Sequence, residues 1–259
     1  MESRITVDRD GHVLLIGLNR TDKRNAADLP MLQELALAYG ELERDPELRA
    51  GLVYAHGDHF TAGLDLADIA PRIGPDGIDT VPDGGLDPWQ VTGARRSKPV
   101  VLAVQGICFT LGIELALASD IVVAADSTRF AQLEVSRGIL PFGGATLRFP
   151  AAVGWGAAMR WMLTGDEFDA AEAHRIGLVQ EVVPHGGQYD RGLALARRIA
   201  AQAPLAVQAT LENARRALHD RAGAAEALQP ALVRLAASDD ARIGMEAFLA
   251  RTPAEFTGR

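Results

Sequence analysis

Residues 105–120 read QGICFTLGIELALASD, an apolar stretch in which Glu114 is the one carboxylate before the closing Asp120. The β-branched segments 99–104 and 121–125 flank it, and such runs are typical of strands buried on both faces. The stretch therefore predicts a buried strand, a turn, a buried helix and a second buried strand. A membrane span is disfavoured because Glu114 would lie near the middle of the bilayer, where a charge is costly.

A second glutamate, Glu134, follows the apolar residues FAQL and precedes the glycine-containing run GILPFGG at 138–144. Burial raises the pKa of a carboxyl group, and two such groups beside one substrate can act as general acid and general base. Taken alone, either glutamate could instead belong to a structural ion pair or cap a loop. The neighbouring motifs described below favour the catalytic interpretation.

Composition narrows the class of protein. The chain has 259 residues, 48% hydrophobic and 23% charged, as expected of a globular protein with one large domain or two small ones. A net charge of −8 argues against a nucleic-acid partner. The single cysteine, Cys108, excludes an internal disulfide and a cysteine-based metal cluster. Residues 1–4 do not begin a signal peptide, so we expect a cytoplasmic protein that is not bound to a membrane.

Turn and capping signals indicate an α/β arrangement in the first part of the chain. The dipeptide Asp10-Gly11 predicts a β-hairpin. Asp28 and Pro30 predict the start of a helix that runs to about Arg44. Short apolar segments between helices predict further strands at 51–55, 99–104, 121–125 and 179–183.

From Tyr189 onward the pattern is Ala-rich and helical. Leu193 and Ala196 share one apolar helix face, and Leu228 and Leu232 share another. These faces predict helices that pack on the body of the protein or on another subunit.

The two segments that precede the predicted strand at 99–104 can each be interpreted in two ways. Prolines and glycines crowd residues 71–93, which predicts a loop that is either a lid over a site or a tolerated insertion. The basic run Arg95–Lys98 is predicted to end a helix, where cations offset the helix dipole, so nucleic-acid binding is not needed to explain it.

Two glycine-containing turns, 56–66 and 105–114, each follow a predicted strand and lead into a predicted helix. Gly63 allows an unusual backbone turn in which the Leu64 amide faces a cavity. The first N–H groups of a helix, here that of Leu111, have no partner within the helix. The two amides could form an oxyanion hole, although turns of this kind are often purely structural.

Five segments, in order, resemble the motifs of the crotonase, or enoyl-CoA hydratase/isomerase, superfamily. The N-terminal segment LNR…NA at 18–26 resembles L-N-R-P-x-x-x-N-A, and FTAGLDL at 60–66 resembles F-x-A-G-x-D-[LI]. Residues 106–120 resemble the glycine-rich turn that ends in E-L-A-x-x-x-D. Residues 130–141 resemble F-x-x-P-E-x-x-x-G-x-x-P, with leucine in place of the first proline. Residues 163–179 resemble L-T-G…A-x-x-A…G-L-V.

This resemblance implies a fold and an assembly. The implied fold is α/β, with a crotonase-like (ClpP/crotonase) ββα spiral core at 1–188 that carries the CoA-thioester site, and a C-terminal helical oligomerisation region at 189–259. Homotrimers, often paired as homohexamers, are implied. No metal or redox cofactor is implied, and coenzyme A enters only as part of an acyl-CoA substrate.

The resemblance also implies roles for individual residues. The amides of Leu64 and Leu111 would form the oxyanion hole, Glu114 would activate a water, and Glu134 would protonate Cα. Phe142 replaces a glycine whose N–H seats the water in hydratases, which indicates a substrate other than a simple straight-chain enoyl group. The implied substrate and CoA contacts are Lys23, Arg24, Ala26, Ala62, Gly63, Asp65, Leu66, Phe142 and Phe256.

Within that set, Lys23 and Arg24 would bind phosphates, although adjacent basic residues in a loop are often only solvated surface. The backbone around Ala62 would bind adenine, and Phe256 would reach the CoA of a neighbouring subunit.

Because both glutamates are present, the resemblance favours an enoyl-CoA hydratase that adds water across a 2-enoyl-CoA double bond. An isomerase, another thioester enzyme such as a decarboxylase or hydrolase, and a non-catalytic CoA-binding protein are the alternatives.

Overall fold

The structure, a computed structural model, describes residues 3–75 and 77–259 and is organised around two β-sheets. The strands are β1 (Ile5–Asp10), β2 (Val13–Leu18), β3 (Ala50–Ala55), β4 (Val100–Val104), β5 (Ile107–Phe109), β6 (Ile121–Ala125), β7 (Arg129–Ala131), β8 (Phe168–Asp169) and β9 (Glu181–Val183). The larger sheet has the order β1-β2-β3-β4-β6-β9, antiparallel between β1 and β2 and parallel elsewhere. The smaller sheet has the order β5-β7-β8.

Helices follow most of the strands and form the C-terminal part of the chain. They are α1 (Leu29–Arg44), α2 (Leu66–Ile69), α3 (Leu111–Ala118), α4 (Ala145–Val153), α5 (Trp155–Thr164), α6 (Ala170–Arg175), α7 (Gln188–Ala200), α8 (Pro204–Ala217), α9 (Arg221–Ala236) and α10 (Asp239–Ala250). Single 3₁₀ turns occur at Thr21–Lys23, Ala70–Arg72 and Glu134–Arg137. Within the described residues, none of the helices is long and apolar enough to cross a bilayer.

The predicted N-terminal elements are confirmed. Asp10 pairs with Val13 at the end of the β1–β2 hairpin, and Gly11 in the turn has a φ of +55°. The Asp28 carboxylate accepts a hydrogen bond from the Met31 amide at 3.1 Å, which caps α1 as the sequence predicts.

The two faces of the larger sheet are covered by helices from opposite ends of the chain. On one face, Leu14 and Ile16 of β2 belong to the same buried cluster as Leu35 of α1. On the other face, Leu15 and its neighbours on the sheet pack against Leu193 of α7. Because successive side chains of a strand point to opposite faces, the wholly apolar β2 supplies both clusters.

Helix α7 lies close to the sheet because Gly192 has no side chain. A Cβ atom at Gly192 would lie 3.0 Å from Cδ1 of Leu52 and 3.2 Å from Cβ of Ala103. Helix α7 thus packs as part of the layered body, although nearly all of it lies beyond the boundary predicted between residues 188 and 189. That boundary stays a prediction.

The remaining C-terminal helices are less buried. The predicted apolar face of α9 is exposed within this chain, with Leu228 at 56% and Leu232 at 59% of full exposure. Helix α8 is attached to the body through Arg215, which donates to the Arg96 carbonyl at 2.6 Å and to the Asp120 carboxylate at 3.0 Å.

The prediction that the basic run Arg95–Lys98 ends a helix is wrong. These residues form irregular backbone, and the Arg96 side chain is buried. Its guanidinium donates to the Asp120 carboxylate at 2.6 Å and to the carbonyl of Ala118 at 2.7 Å. Arg96 therefore does bind a helix C-terminus, but it is that of α3, which the fold brings to it.

The predicted loop at 71–93 is largely irregular and is attached to the start of α3. The indole N–H of Trp89 donates to the Leu111 carbonyl at 3.1 Å. The buried Asp87 carboxylate accepts the amides of Trp89, Val91 and Thr92 at 2.8–2.9 Å. This part of the loop thereby forms one wall next to the Leu111 turn.

Candidate active site

The two glycine-containing turns predicted from the sequence lie side by side. The Phe60 amide donates to the Gln105 carbonyl at 2.8 Å, and the Thr61 amide donates to the Ile107 carbonyl at 3.0 Å. The Phe109 amide donates back to the Thr61 carbonyl at 3.1 Å. These bonds join the segment after β3 to the β5 strand and hold Leu64 and Leu111 beside the same cavity.

Gly63 and Thr110 are in contact at the junction of the two turns. Gly63 has a φ of +98°, and a Cβ atom there would lie only 2.0 Å from the Thr110 hydroxyl oxygen. Thr110 itself has a φ of +47°, which is unusual and strained for a β-branched residue. The conformation of Thr110 points the chain into α3, and only glycine at position 63 leaves room for its side chain.

The amides of Leu64 and Leu111 are available to a ligand. Among residues 3–75 and 77–259, no oxygen accepts a hydrogen bond from either N–H. Leu111 is the first residue of α3, so its N–H has no partner within the helix and lies at the positive end of the helix dipole. An oxyanion hole requires N–H groups without partners, and the assignment of these two amides to one stays a prediction.

Glu114 lies one turn into α3 and is only 2% exposed. Its Oε1 accepts the Ala145 amide, at the start of α4, at 3.1 Å. A Cβ atom at Gly143 would lie 2.6 Å from its Oε2, so glycine is required there as well. Burial raises the pKa of Glu114 to about 7; the Ala145 N–H opposes this shift and the charge of Glu134 adds to it.

Glu134 opens the 3₁₀ turn that ends at Arg137 and is 6% exposed. One carboxylate oxygen accepts the side-chain amide of Gln132 at 3.3 Å. The other oxygen is buried and has no hydrogen-bond partner in the part of the chain that the structure describes. Burial raises the pKa of Glu134 to about 7. Both carboxyl groups can therefore gain or lose a proton near neutral pH.

One cavity of about 320 Å³ joins these groups. Its lining includes ten of the residues predicted for the site: Lys23, Ala26, Ala62, Leu64, Asp65, Leu66, Leu111, Glu114, Glu134 and Phe142. The two glutamates and the two residues that carry the amides thus line one cavity, as the catalytic interpretation requires. The structure supports this grouping, while the role of each residue stays a prediction.

Three predicted residues do not line the cavity. Gly63 lies against Thr110, which itself lines the cavity. The Arg24 side chain is exposed, and its carbonyl accepts the Ala62 amide at 2.9 Å. Phe256 lies in a different region, where its carbonyl accepts the Arg49 side chain at 2.8 Å. Within one chain, the structure does not bring Phe256 to the cavity.

Asp65 lines the cavity but has a structural partner. Its carboxylate accepts the Arg20 guanidinium at 2.8 Å, and this hydrogen bond lowers the pKa of Asp65. Arg20 also lies 3.3 Å from Asp28, the cap of α1. The pair therefore connects the turn at 56–66 to the N-terminal helix α1.

Sequence reasoning did not assign four of the lining residues to the site: Thr110, Leu133, Arg137 and Ile139. Arg137 is three residues after Glu134 in a 3₁₀ turn, and side chains with that spacing lie on the same side of the turn. That spacing is the signal that could have revealed it. Lys23 and Arg137 place two cations in the lining of the same cavity.

The raised pKa of Glu114 predicts a pH-dependent gain in stability when it is replaced by Gln. The folded carboxyl has a pKa of about 7 against an ordinary value of 4.5, so the folded protein binds more protons between these values and loses stability as the pH rises. At pH 8 the ionised, buried group costs stability, and Glu114→Gln should gain about 2 kcal/mol. The gain should shrink toward zero as the pH falls to 4.5.

Thermal unfolding at pH 8 and pH 5 measures this effect. Glu181→Gln is the matched control, because Glu181 is ion-paired with Arg191 and its pKa is lowered. A Glu114→Gln protein that is no more stabilised at pH 8 than at pH 5 would contradict the raised pKa.

Known proteins resemble this chain along its whole length. The family model described as enoyl-CoA hydratase/isomerase matches residues 8–259. The enoyl-CoA hydratase EchA19 of Mycobacterium tuberculosis is 33% identical, with 98% of this chain and 96% of that protein covered. The 2,3-dehydroadipyl-CoA hydratase of Escherichia coli is also 33% identical, with 99% and 100% covered.

Solved structures agree with the sequence comparison. A protein from Mycobacterium abscessus, described as a probable enoyl-CoA hydratase/isomerase, superposes with a TM-score of 0.95 at 58% identity and 99% coverage of both chains. The predicted α/β crotonase-like fold with its C-terminal helices is thereby confirmed. From its sequence, its fold and the cavity with two amides and two glutamates, this chain belongs to the enoyl-CoA hydratase/isomerase family of enzymes.

Proposed function

We propose that the protein hydrates 2-enoyl-CoA thioesters. The observation that carries the proposal is the shared cavity, in which two buried carboxyl groups with a pKa of about 7 accompany two unbonded backbone amides. Addition of water to an enoyl thioester needs a base for the water, an acid for Cα and a site for the negative charge that develops on the carbonyl oxygen.

The first step uses the ionised form of Glu114. The thioester carbonyl accepts hydrogen bonds from the N–H groups of Leu64 and Leu111, which withdraw electrons from the conjugated double bond. The Glu114 carboxylate removes a proton from water as the water oxygen bonds to Cβ. The electron pair of the double bond moves to the carbonyl, and the resulting enolate oxygen is stabilised by the same two amides.

The second step uses the protonated form of Glu134. Its carboxylic acid donates the proton to Cα, the enolate collapses to the thioester carbonyl, and a 3-hydroxyacyl-CoA results. The overall reaction requires one carboxylate and one carboxylic acid, and two interacting groups that titrate near neutral pH can supply that combination. The proton taken from water is then on Glu114 while Glu134 is ionised, so a proton must pass from Glu114 to Glu134, directly or through solvent, before the next turnover. Coenzyme A takes part only as a portion of the substrate.

The coenzyme A portion is proposed to enter beside Lys23 and Arg137. Both side chains line the cavity and are exposed, as suits groups that meet the phosphates of an incoming ligand. The backbone at Ala62 would bind adenine, and Arg24 would add charge from the adjacent loop.

The test is incubation of the protein with crotonyl-CoA followed by mass spectrometry of the thioester. A product heavier by one water supports hydration. An unchanged mass with a moved double bond supports isomerisation, and release of free CoA supports a hydrolase. Crotonyl-CoA has no carboxylate to lose, so a decarboxylase is tested separately by loss of carbon dioxide from methylmalonyl-CoA. Binding without any product would support a non-catalytic role.

Gly63→Ala is expected to lower kcat for hydration about 100-fold, the effect of losing one oxyanion donor. The added methyl group would lie 2.0 Å from the Thr110 hydroxyl oxygen, so Thr110 must shift at the junction that positions Leu64 and Leu111. Steady-state kinetics with crotonyl-CoA measure the loss.

Gly186→Ala is the matched control for this substitution. Gly186 has a similar positive φ, of +90°, and among the described residues no atom lies within 4 Å of its added Cβ, so the control carries comparable backbone strain without the collision. Equal kcat losses in the two variants would contradict the proposed role of the Gly63–Thr110 contact.

We further propose a cytoplasmic homotrimer or homohexamer. The exposed apolar side chains of α9 and α10, among them Leu228, Leu232 and Phe248, support an assembly that covers them. In such an assembly Phe256 would contact the CoA bound to a neighbouring subunit. Light scattering of the purified protein measures the number of subunits.

A further inference from the structure

A second cavity of about 390 Å³ lies under the 71–93 loop, next to the catalytic cavity. The two cavities share Leu64, Leu111 and Phe142 as lining residues. A group whose carbonyl is bound by the Leu64 and Leu111 amides is therefore close to both. We call the second cavity the loop chamber.

The loop chamber is mostly apolar. The side chains that make it so are Leu32, Ile73, Ile78, Trp89 and Val91, together with the shared leucines. Trp89 is held in place by its indole N–H bond to the Leu111 carbonyl, so the wall that faces the loop is joined to the oxyanion turn. A chamber of this volume and lining suits a hydrocarbon group.

The charges around the loop chamber disfavour an anion. Its lining in the described part of the chain includes no Lys, Arg or His, and its one charged residue is Asp87. The Asp87 carboxylate is occupied by the amides of Trp89, Val91 and Thr92. The neighbouring cation, Arg148, does not line the chamber and donates to the Gln90 carbonyl at 2.8 Å. A buried carboxylate would thus find no partner and would face Asp87.

We propose that the loop chamber receives the acyl chain, so that the preferred substrates carry uncharged, apolar acyl groups longer than crotonyl. This inference rests on the proposed hydratase function. Beyond Cβ the chain passes Phe142, which is 49% exposed and is the one shared residue outside the oxyanion pair. An acyl chain that ends in a carboxylate is disfavoured, because the carboxylate would be desolvated without a cation to pair with it.

Four thioesters test the inference on the unaltered protein: crotonyl-CoA, 2-hexenoyl-CoA, 2-octenoyl-CoA and 2,3-dehydroadipyl-CoA. We expect kcat/KM for 2-octenoyl-CoA to exceed that for crotonyl-CoA by at least about 10-fold, since additional methylene groups leave water. 2-Hexenoyl-CoA and 2,3-dehydroadipyl-CoA have six-carbon acyl chains that differ only at the end. We expect the carboxylate to lower kcat/KM at least about 10-fold.

Ile73→Lys tests the charge argument directly. Ile73 lines the loop chamber and is 54% exposed, so a lysine can be accommodated without loss of the fold. We expect the kcat/KM ratio of 2,3-dehydroadipyl-CoA to 2-hexenoyl-CoA to rise about 3- to 5-fold in Ile73→Lys, the effect of a half-exposed ion pair. The matched neutral control, Ile73→Met, should leave that ratio unchanged.

The outcomes separate this inference from the proposed function. Hydration of crotonyl-CoA with no preference for longer chains, or with 2,3-dehydroadipyl-CoA favoured over 2-hexenoyl-CoA, overturns the loop-chamber assignment and leaves the hydratase proposal standing. An unchanged ratio in Ile73→Lys also overturns it. If water is added to none of the four thioesters, the proposed function itself is overturned.

Discussion

Glu114→Gln is expected to lower kcat for hydration of crotonyl-CoA about 1,000-fold, within the range that a general base contributes. Gln keeps an oxygen that can accept the Ala145 amide, so the start of α4 stays bound to α3. The amide cannot remove a proton from water, however, so the step that forms the bond to Cβ is lost. Steady-state kinetics at pH 7 measure the change.

A reaction that adds no water to the substrate separates lost chemistry from lost structure. In deuterium oxide, a base beside Cα and an intact oxyanion hole exchange the α-protons of butyryl-CoA, a saturated thioester. We expect Glu114→Gln to retain this exchange, as followed by nuclear magnetic resonance, while it loses hydration. Loss of both reactions would mean that Glu114 acts at Cα or that the site has collapsed.

Glu134→Gln is expected to lower kcat for hydration about 100- to 1,000-fold and to abolish the α-proton exchange of butyryl-CoA. Glu134 has a buried oxygen that no described group of the protein satisfies, and its pKa of about 7 keeps it partly protonated at neutral pH. Gln has no acidic proton for Cα. Retained exchange in this variant would show that another group protonates Cα.

The pH profile gives a second readout for Glu134. Hydration requires Glu114 ionised and Glu134 protonated, so kcat/KM of the unaltered enzyme should rise and then fall around pH 7. The fall above pH 7 reports ionisation of Glu134. In Glu134→Gln the remaining activity should keep the rise at low pH and lose the fall, and a persistent fall would contradict the assignment.

Local sequence signals were sufficient for much of the fold. The cap at Asp28, the turn at Gly11 and the apolar strands act through neighbouring residues, so they are readable without knowledge of the rest of the chain. The prediction for Arg95–Lys98 used the same local reasoning and was wrong. Arg96 owes its position to Asp120 and to the end of α3, which are distant in the chain.

The candidate site divides in the same way. Glu114, Glu134 and the two glycine-containing turns could be identified because carboxylates in apolar runs and glycines before helices are visible in the sequence. Arg137 was not assigned, and Phe256 was assigned to a contact that lies outside one chain. The loop at 71–93 could be recognised as a loop, but its attachment through Trp89 to Leu111 could not.

The amino-acid sequence by itself determined the types and order of the elements, the membership in the family and the two carboxylates, because these depend on residue type and short-range spacing. Only the tertiary structure decided that both glutamates line one cavity with two amides that are unbonded in the described part of the chain. It alone decided, too, that the apolar chamber beside them has no cation among its described lining residues. Desolvation and contact depend on which distant segments meet, as Ala145 meets Glu114 and Thr110 meets Gly63. No local sequence pattern specifies these long-range contacts.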